Sequence, residues 1–211
     1  GHVYLINPNG ILFVKTAQVN VHSLTASTSL DGDDLIAVHG FDPRAHSAPD
    51  ARIENQGTIR AGDGGVVYLV APQVENGSSG VITAPDGEVR IEPGATVYLT
   101  SQPLGGLAIA YTAPGEPGGE AVNLGRIVAD GGLVRLRAAL VHQGGEIEAD
   151  SVRERAGAVE LYAGHDLRLA SGSRTSARGG DTGVSAGGRV DAWSDGDAVV
   201  EDGARIDVSG G

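Results

Sequence analysis

Neither cysteine nor methionine occurs among the 211 residues, one tryptophan is present, and aromatics make up only 4% of the chain. A core leaning on Leu, Met and Phe, as in an ordinary globular enzyme, does not fit that composition; a thin, regular core of small aliphatics does. The lack of cysteine suits a surface protein that crosses the periplasm unfolded, but cytosolic chains share it and it decides little. No run of about 18 apolar residues exists, so no membrane span is expected. No signal peptide is visible either: Gly1 leads directly into a strand pattern, the expectation for a chain trimmed at its N-terminus. Basic residues are scarce, 15 against 27 acidic, and the net charge of -12 disfavours nucleic acid and anionic membrane surfaces as partners. No stretch keeps the i, i+3, i+4 apolar spacing for three turns, which argues against helix.

What is abundant is glycine, 34 residues interleaved with Val, Ile and Leu rather than set at every third position. That excludes collagen and fits simple disorder poorly. The most informative stretch is Val3 to Val14, which reads strand, turn, strand around Asn7-Pro8-Asn9-Gly10. Asn7 suits the first position of a type I turn, Pro8 pre-sets φ at the second, Asn9 tolerates the third, and Gly10 supplies a left-handed exit. Val3/Leu5 and Tyr4/Ile6 are apolar on opposite faces, so this strand is expected to be covered above and below.

From residue 51 a repeat appears, Asn-x-Gly-x-Ile-x-Ala, a Gly turn, then Val-x-Leu. It begins at Asn55, Asn76 and Asn123, and a fourth unit at His142 lacks the Asn. The marker residues Ile59, Ile82, Ile127 and Ile147 are separated by 23, 45 and 20 residues, which reads as a period near 20 with the middle step doubled. Short strands and turns at that period describe coils of a parallel β-helix, roughly nine of them stacked at about 4.8 Å into a rod of about 40 Å. Ile59 and Ala61 point in, Thr58 and Arg60 out. Glycine lets the backbone corner at positive φ. Asn55, Asn76 and Asn123 fall at one corner, where their amides are placed to bond along the axis. Residues 29–50 and 101–119 break the pattern and read as two excursions. The fold class is therefore all-β, a solenoid with two extra-helical excursions.

Candidate sites weaken on inspection. Asp31, Asp33 and Asp34 suit calcium chemically but lack the twelve-residue loop or a nonapeptide array, so a solvated loop is the better reading. None of the six histidines pairs at metal-ligand spacing. Gly62-Asp63-Gly64-Gly65 lacks the Lys-Ser/Thr of a phosphate loop and reads as a turn. Ser and Thr lack a paired base, and Trp193 reads as coil-edge packing. No catalytic residue, metal or cofactor is expected.

The segment from Val3 to Phe13, followed by Ala17-Gln18-Val19-Asn20-Val21 and Leu24-Thr25-Ala26-Ser27-Thr28, resembles the second half of the secretion domain of filamentous-hemagglutinin-type exoproteins. These are two-partner secretion passengers of Gram-negative bacteria. The family carries Gly where Val14, Thr16 and His22 stand, and its earlier half, with a capping strand and another Asn-Pro-Asn motif, is not among these residues. The resemblance implies a right-handed parallel β-helix, with residues 1–100 in the secretion domain, 101–119 an excursion and 120–211 continuing into a repetitive adhesin body. It also implies a secreted or cell-surface adhesin, exported via the periplasm by a cognate outer-membrane β-barrel transporter, with a host or bacterial surface receptor or glycan as a further partner. Asn7, Pro8, Asn9, Gly10 and Ile11 are then the candidates for transporter recognition and folding nucleation. The alternative is a β-helix carbohydrate-active enzyme of pectate-lyase or glycosidase type, which requires outward carboxylate pairs in one groove.

Overall fold

A computed structural model describes residues 1–32, 45–101, 107–113, 118–152, 155–180 and 186–210; Asp33, Asp34, His39 and most of the two excursions' Pro and Gly residues lie outside them. Among the described residues every regular element is a strand. The chain winds so that each new turn lays its strands parallel to those of the turn before. Coil one holds β1 (His2–Ile6), β2 (Ile11–Phe13) and β3 (Gln18–Val21). Coil two holds β4 (Ser23–Ser27), then β5 (Asp31–Gly32) outside the stack, β6 (Arg52–Asn55) and β7 (Thr58–Ala61). Coil three is β8 (Val66–Val70), β9 (Gln73–Asn76) and β10 (Val81–Thr83). In coil four, β12 (Thr96–Ser101) and β13 (Leu107–Ala113) are looped out between β11 (Glu88–Ile91) and the pair β14 (Glu120–Asn123) and β15 (Arg126–Val128). Long strands then span two faces: β16 (Leu133–Gln143) with β17 (Glu146–Glu148), and β18 (Ala158–Leu169) with β19 (Arg174–Ser176). The last coil is β20 (Arg189–Ser194), β21 (Ala198–Val200) and β22 (Arg205–Asp207).

Register carries a β-branched column along the axis. Val19, Ile59, Ile82, Ile127, Ile147, Thr175 and Ile206 are successive partners across β3, β7, β10, β15, β17, β19 and β22. Ile59, Ile82, Ile127 and Ile147 are completely buried, while Ile206 on the last coil is exposed. At about 2–3 kcal/mol for each fully buried Ile, this column outweighs the surface ion pairs, worth about 0–1 kcal/mol apiece.

The register corrects the count of coils. Ile82 pairs directly with Ile127, and Val89 with Val134, so the 45-residue step is one coil carrying an insertion and not two periods. Asp166–Leu169 is the end of β18 and not a coil of its own. Seven coils result among the described residues, where the repeat spacing had suggested about nine.

Both excursions meet on one face. β5, from the first, pairs parallel with β12, which pairs antiparallel with β13 from the second. Beneath this three-stranded sheet lies a second core of Leu30, Ala45, Tyr68, Val70, Val97 and Leu99, with Tyr4 and Ile6 packed against it. The strands covered on both faces include β4, buried from Ser23 to Ser27, and β8, buried from Val67 to Val70. On β1, Tyr4 and Ile6 have this cover, while Val3 and Leu5 are 41% and 39% exposed.

Glycine has two jobs here. Gly64, Gly131, Gly172 and Gly203 take the positive φ expected at corners. Gly65, Gly87 and Gly132 do not; they sit where one coil touches the next. A Cβ on Gly87 would lie 2.0 Å from the Gly65 carbonyl oxygen, and one on Gly132 2.0 Å from that of Gly87. The same carbonyls accept the N–H groups of Glu88 and Leu133 at 2.9 Å. The Gly before each Val-x-Leu is thus a clearance requirement.

Candidate functional site

The corner of coil one is built from its sequence as a closed turn. The Gly10 N–H donates to the Asn7 carbonyl at 3.1 Å, and the Asn7 side-chain oxygen accepts the Asn9 N–H at 3.1 Å. Proline at the second position leaves that N–H pattern undisturbed because its own donor is not needed there. Gly10 has φ of 120°, and a Cβ there would lie 2.9 Å from the Arg52 carbonyl oxygen, so glycine is required twice over. β1 and β2 do not pair with each other as a hairpin would. They belong to different walls, β1 against β4 and β2 against β6, and the turn is a coil corner. It is tied to coil two by the Asn7 N–H on the Ser27 carbonyl at 3.0 Å and the Ala48 N–H on the Pro8 carbonyl at 2.9 Å. Asn7 and Asn9 are exposed, Pro8 and Gly10 half-buried, and Ile11 turns inward opposite Ile53. The corner presents a rigid polar tip on an apolar base.

Asn55, Asn76 and Asn123 occupy one column in the interior, not at the surface, and are fully buried. Asn55 Nδ2 donates to Asn76 Oδ1, Asn76 Nδ2 to Asn123 Oδ1, and Asn123 Nδ2 to Gln143 Oε1, each at 2.8 Å. Gln143 ends the column by donating to the Gly145 and Arg174 carbonyls at 3.1 and 3.0 Å. Gln143 takes the Asn place in the fourth repeat, and the extra methylene of its side chain keeps the amide in line; aligning Gly145 with Gly57 and Gly125 locates it. The column begins at Asn55, paired with Phe13 two residues past Ile11 of the corner, but its side chains are buried while the tip of the corner is exposed. The first is a folding element and the second a surface.

The outward charges Arg90, Glu92, Arg135, Glu148 and Glu160 pair within and between coils. Arg135 lies 2.7 Å from Glu160 and 3.9 Å from Glu92, whose carboxylate also accepts the Tyr68 hydroxyl at 2.8 Å. Glu146 and Glu148, two apart on the outer face of β17, line a groove of about 190 Å³ with Arg174, Arg178 and Arg205. They share one guanidinium: Arg126 is 3.2 Å from Glu146 and 2.5 Å from Glu148. Trp193 is exposed on the last coil, its indole N–H donating to Asp195 at 2.9 Å, in register with Tyr162. Among the described residues no group of three or more His, Asp or Glu is placed to hold a metal ion.

Burial pushes the Asp130 carboxyl up, helped by the Asp150 charge beside it, and burial likewise pushes up Glu148 against the pull of Arg126. Burial would raise Asp150 too, but hydrogen bonds from the Arg178 side chain and backbone and from Ser176 hold it below the ordinary range. The signs oppose. The raised pair favours the folded state once protonated, so their contribution is fully present below the ordinary carboxylate pKa near 4 and is lost as pH rises through the raised values. Asp150 stabilises above that ordinary value and ceases to do so as pH falls through its depressed one. These three carboxylates are therefore expected to add stability as solution is acidified through the raised values and to lose it below the ordinary carboxylate range, while His2, held below its ordinary pKa by burial and by the His22 and N-terminal charges, opposes the rise from neutral pH. Thermal melts of Asp130→Asn should show a flatter upper limb; an unchanged limb would contradict the assignment.

A family model described as the TPS secretion domain matches residues 1–200. The crystal structure of the HMW1 secretion domain from Haemophilus influenzae is similar to this chain, at 27% sequence identity and a TM-score of 0.67. The likeness covers all of this chain and 64% of that one, so the chain spans just under two thirds of that structure's length. No curated protein matches it.

Proposed function

Since the chain belongs to the TPS secretion domain family, we propose that it is the export-directing part of a two-partner secretion exoprotein of the filamentous-hemagglutinin type, wound as a right-handed parallel β-helix. The match along nearly the whole stack is the observation that carries this reading. Its partner is a cognate outer-membrane β-barrel transporter, whose periplasmic domains meet the chain before it is threaded out to the cell surface or medium. A stack in which each coil contacts only its neighbours folds by adding coils in order, so folding outside the membrane can draw the chain across without ATP. The passenger is read as an adhesin that meets a receptor or glycan on host or bacterial surfaces, with residues 120–211 continuing the stack toward its repetitive body.

Within this reading, Asn7, Pro8, Asn9, Gly10 and Ile11 form the recognition and nucleation corner. Asn7 is exposed and its side chain only closes the local turn, so Asn7→Ala is expected to cost about 1 kcal/mol of stability. It is expected to cut secretion of the full-length protein, co-expressed with its transporter, at least tenfold. Secretion at the parental level from both Asn7→Ala and Gly10→Ala would remove the corner from the mechanism.

The enzyme reading has Glu146 and Glu148 as its one specific support, since they share a face and a groove. Both are held by Arg126, which suits a structural cross-tie better than an acid and a nucleophile. The purified chain is expected to release no reducing ends from acidic polysaccharide; release abolished by Glu148→Gln would reverse the assignment.

A further inference from the structure

We propose that the three-stranded sheet formed by the two excursions is a clasp, which makes coils one to four a single cooperative block that opens separately from coils five to seven. In a plain solenoid each coil touches only the coils beside it, so stability is a sum of coil terms and nearest-neighbour terms. The clasp departs from that rule. β5 leaves coil two and pairs with β12 of coil four, Asp31 with Tyr98 and Gly32 with Leu99, passing over coil three. The second core beneath it draws on all four coils: Ile6 from the first, Leu30 from the second, Tyr68 and Val70 from the third, Val97 and Leu99 from the fourth. Among the described residues none from coils five to seven belongs to it.

Hydrogen bonds reinforce the same four coils. The Ala48 N–H donates to the Pro8 carbonyl at 2.9 Å, joining the first excursion to coil one, and the Thr28 N–H donates to the Val70 carbonyl at 3.0 Å, joining its root to coil three. Tyr68 of coil three donates its hydroxyl to Glu92 at 2.8 Å, at the root of the second excursion. From β16 onward the architecture changes. β16 and β18 run straight through the position at which the excursions leave coils two and four. Among the described residues, coils five to seven are joined by pairing between neighbouring strands around the stack core. Opening any one of the first four coils breaks the shared second core, so their amides exchange with solvent through one common opening. β5 also has no partner until Tyr98 and Leu99 are in place. On the export reading proposed above, the first four coils therefore lock together once β12 has emerged, rather than one after another; this last step rests on that reading, and the clasp does not.

Hydrogen exchange followed by mass spectrometry on the purified 211-residue chain, parent against variant, tests the clasp. Leu30→Ala and Leu99→Ala cut the second core from opposite excursions, at residues 1% and 0% exposed. Each is expected to quicken exchange at least about thirtyfold in β4, β7, β8 and β10 alike, the lower end for truncating a buried leucine, and to leave β17 and β19 within about threefold of the parent. Leu161→Ala, in the stack core of coil six, is expected to do the reverse. Quickening confined to the excursion that was cut would mean that the coils open independently, and equal quickening from β4 to β19 would mean that the whole chain is one unit; either result overturns the proposal. Should both leucine variants fail to fold, Val97→Ala removes less of the same core and is read in the same way. Failure of the clasp in this experiment leaves the export reading standing.

Discussion

Gly132→Ala is expected to lower stability by more than about 3 kcal/mol, beyond the common range for a single added methyl group in a core. A Cβ at this position lies 2.0 Å from the Gly87 carbonyl oxygen, and the obstacle is backbone, which no rotamer change relieves. The coils must part locally, and the Leu133 N–H to Gly87 carbonyl bond at 2.9 Å goes with them. Because Gly87 touches Gly65 in the same way, the strain is expected to spread along the axis. Gly172→Ala is the control. It has φ of 76° but nothing within 4 Å of a Cβ, so only the left-handed penalty of about 1–2 kcal/mol applies. Urea titrations followed by circular dichroism separate the two. Equal losses would mean that glycine serves conformation alone and that the close stacking is wrong.

The second large effect is at Asn76, which has an amide partner on each side. Asn76→Ala strands the Asn55 amide donor and the Asn123 oxygen in a fully buried column. At about 1–3 kcal/mol for each buried polar group left unsatisfied, a loss of about 3–5 kcal/mol is expected. Asn55→Ala strands the Asn76 oxygen and the buried Gly57 N–H, again two groups, so a similar loss of about 3–5 kcal/mol is expected. Large and comparable falls in the denaturant midpoint for both variants support the column as a chain of dependent bonds. Equal and small shifts would mean that water replaces the missing amide and that the column is not a folding element.

What could be read from residue order follows from what is local and what is not. The Ile positions and the alternation of Thr58 and Arg60 with Ile59 and Ala61 belong to single strands, and the register confirms them as one inward column. The number of coils is not local. It depends on whether 45 residues between Ile82 and Ile127 make two turns of the stack or one with an insertion, and the apolar run Leu107 to Tyr111 fits either until β12 and β13 are seen to pair outside the stack. The cover on β1 is not local either: Tyr4 and Ile6 pack on a core supplied by Leu30 and Ala45 of the first excursion, Tyr68 and Val70 of β8, and Val97 and Leu99 of β12. At the corner, the turn from Asn7 to Gly10 was legible because Asn, Pro and Gly act on their own backbone. Its place as a coil corner tied to Ser27 and Ala48 was not, since those partners are set by winding.

Seven coils are stacked in parallel, with one bulge after Ala138 where β16 meets β18, and a distance along one column measures that stack directly. Leu12 and Val199 are both exposed and outward-facing, 187 positions apart in sequence. They are the ends of the column Leu12, Glu54, Glu75, Val122, His142, Arg168, Val199. The chain has no cysteine of its own, so Leu12→Cys with Val199→Cys places two spin labels cleanly for a dipolar distance measurement. Six rung spacings of about 4.8 Å give a narrow distribution near 29 Å. A peak near 38 Å, the length of eight spacings, or a broad distribution without a peak, would contradict the stack.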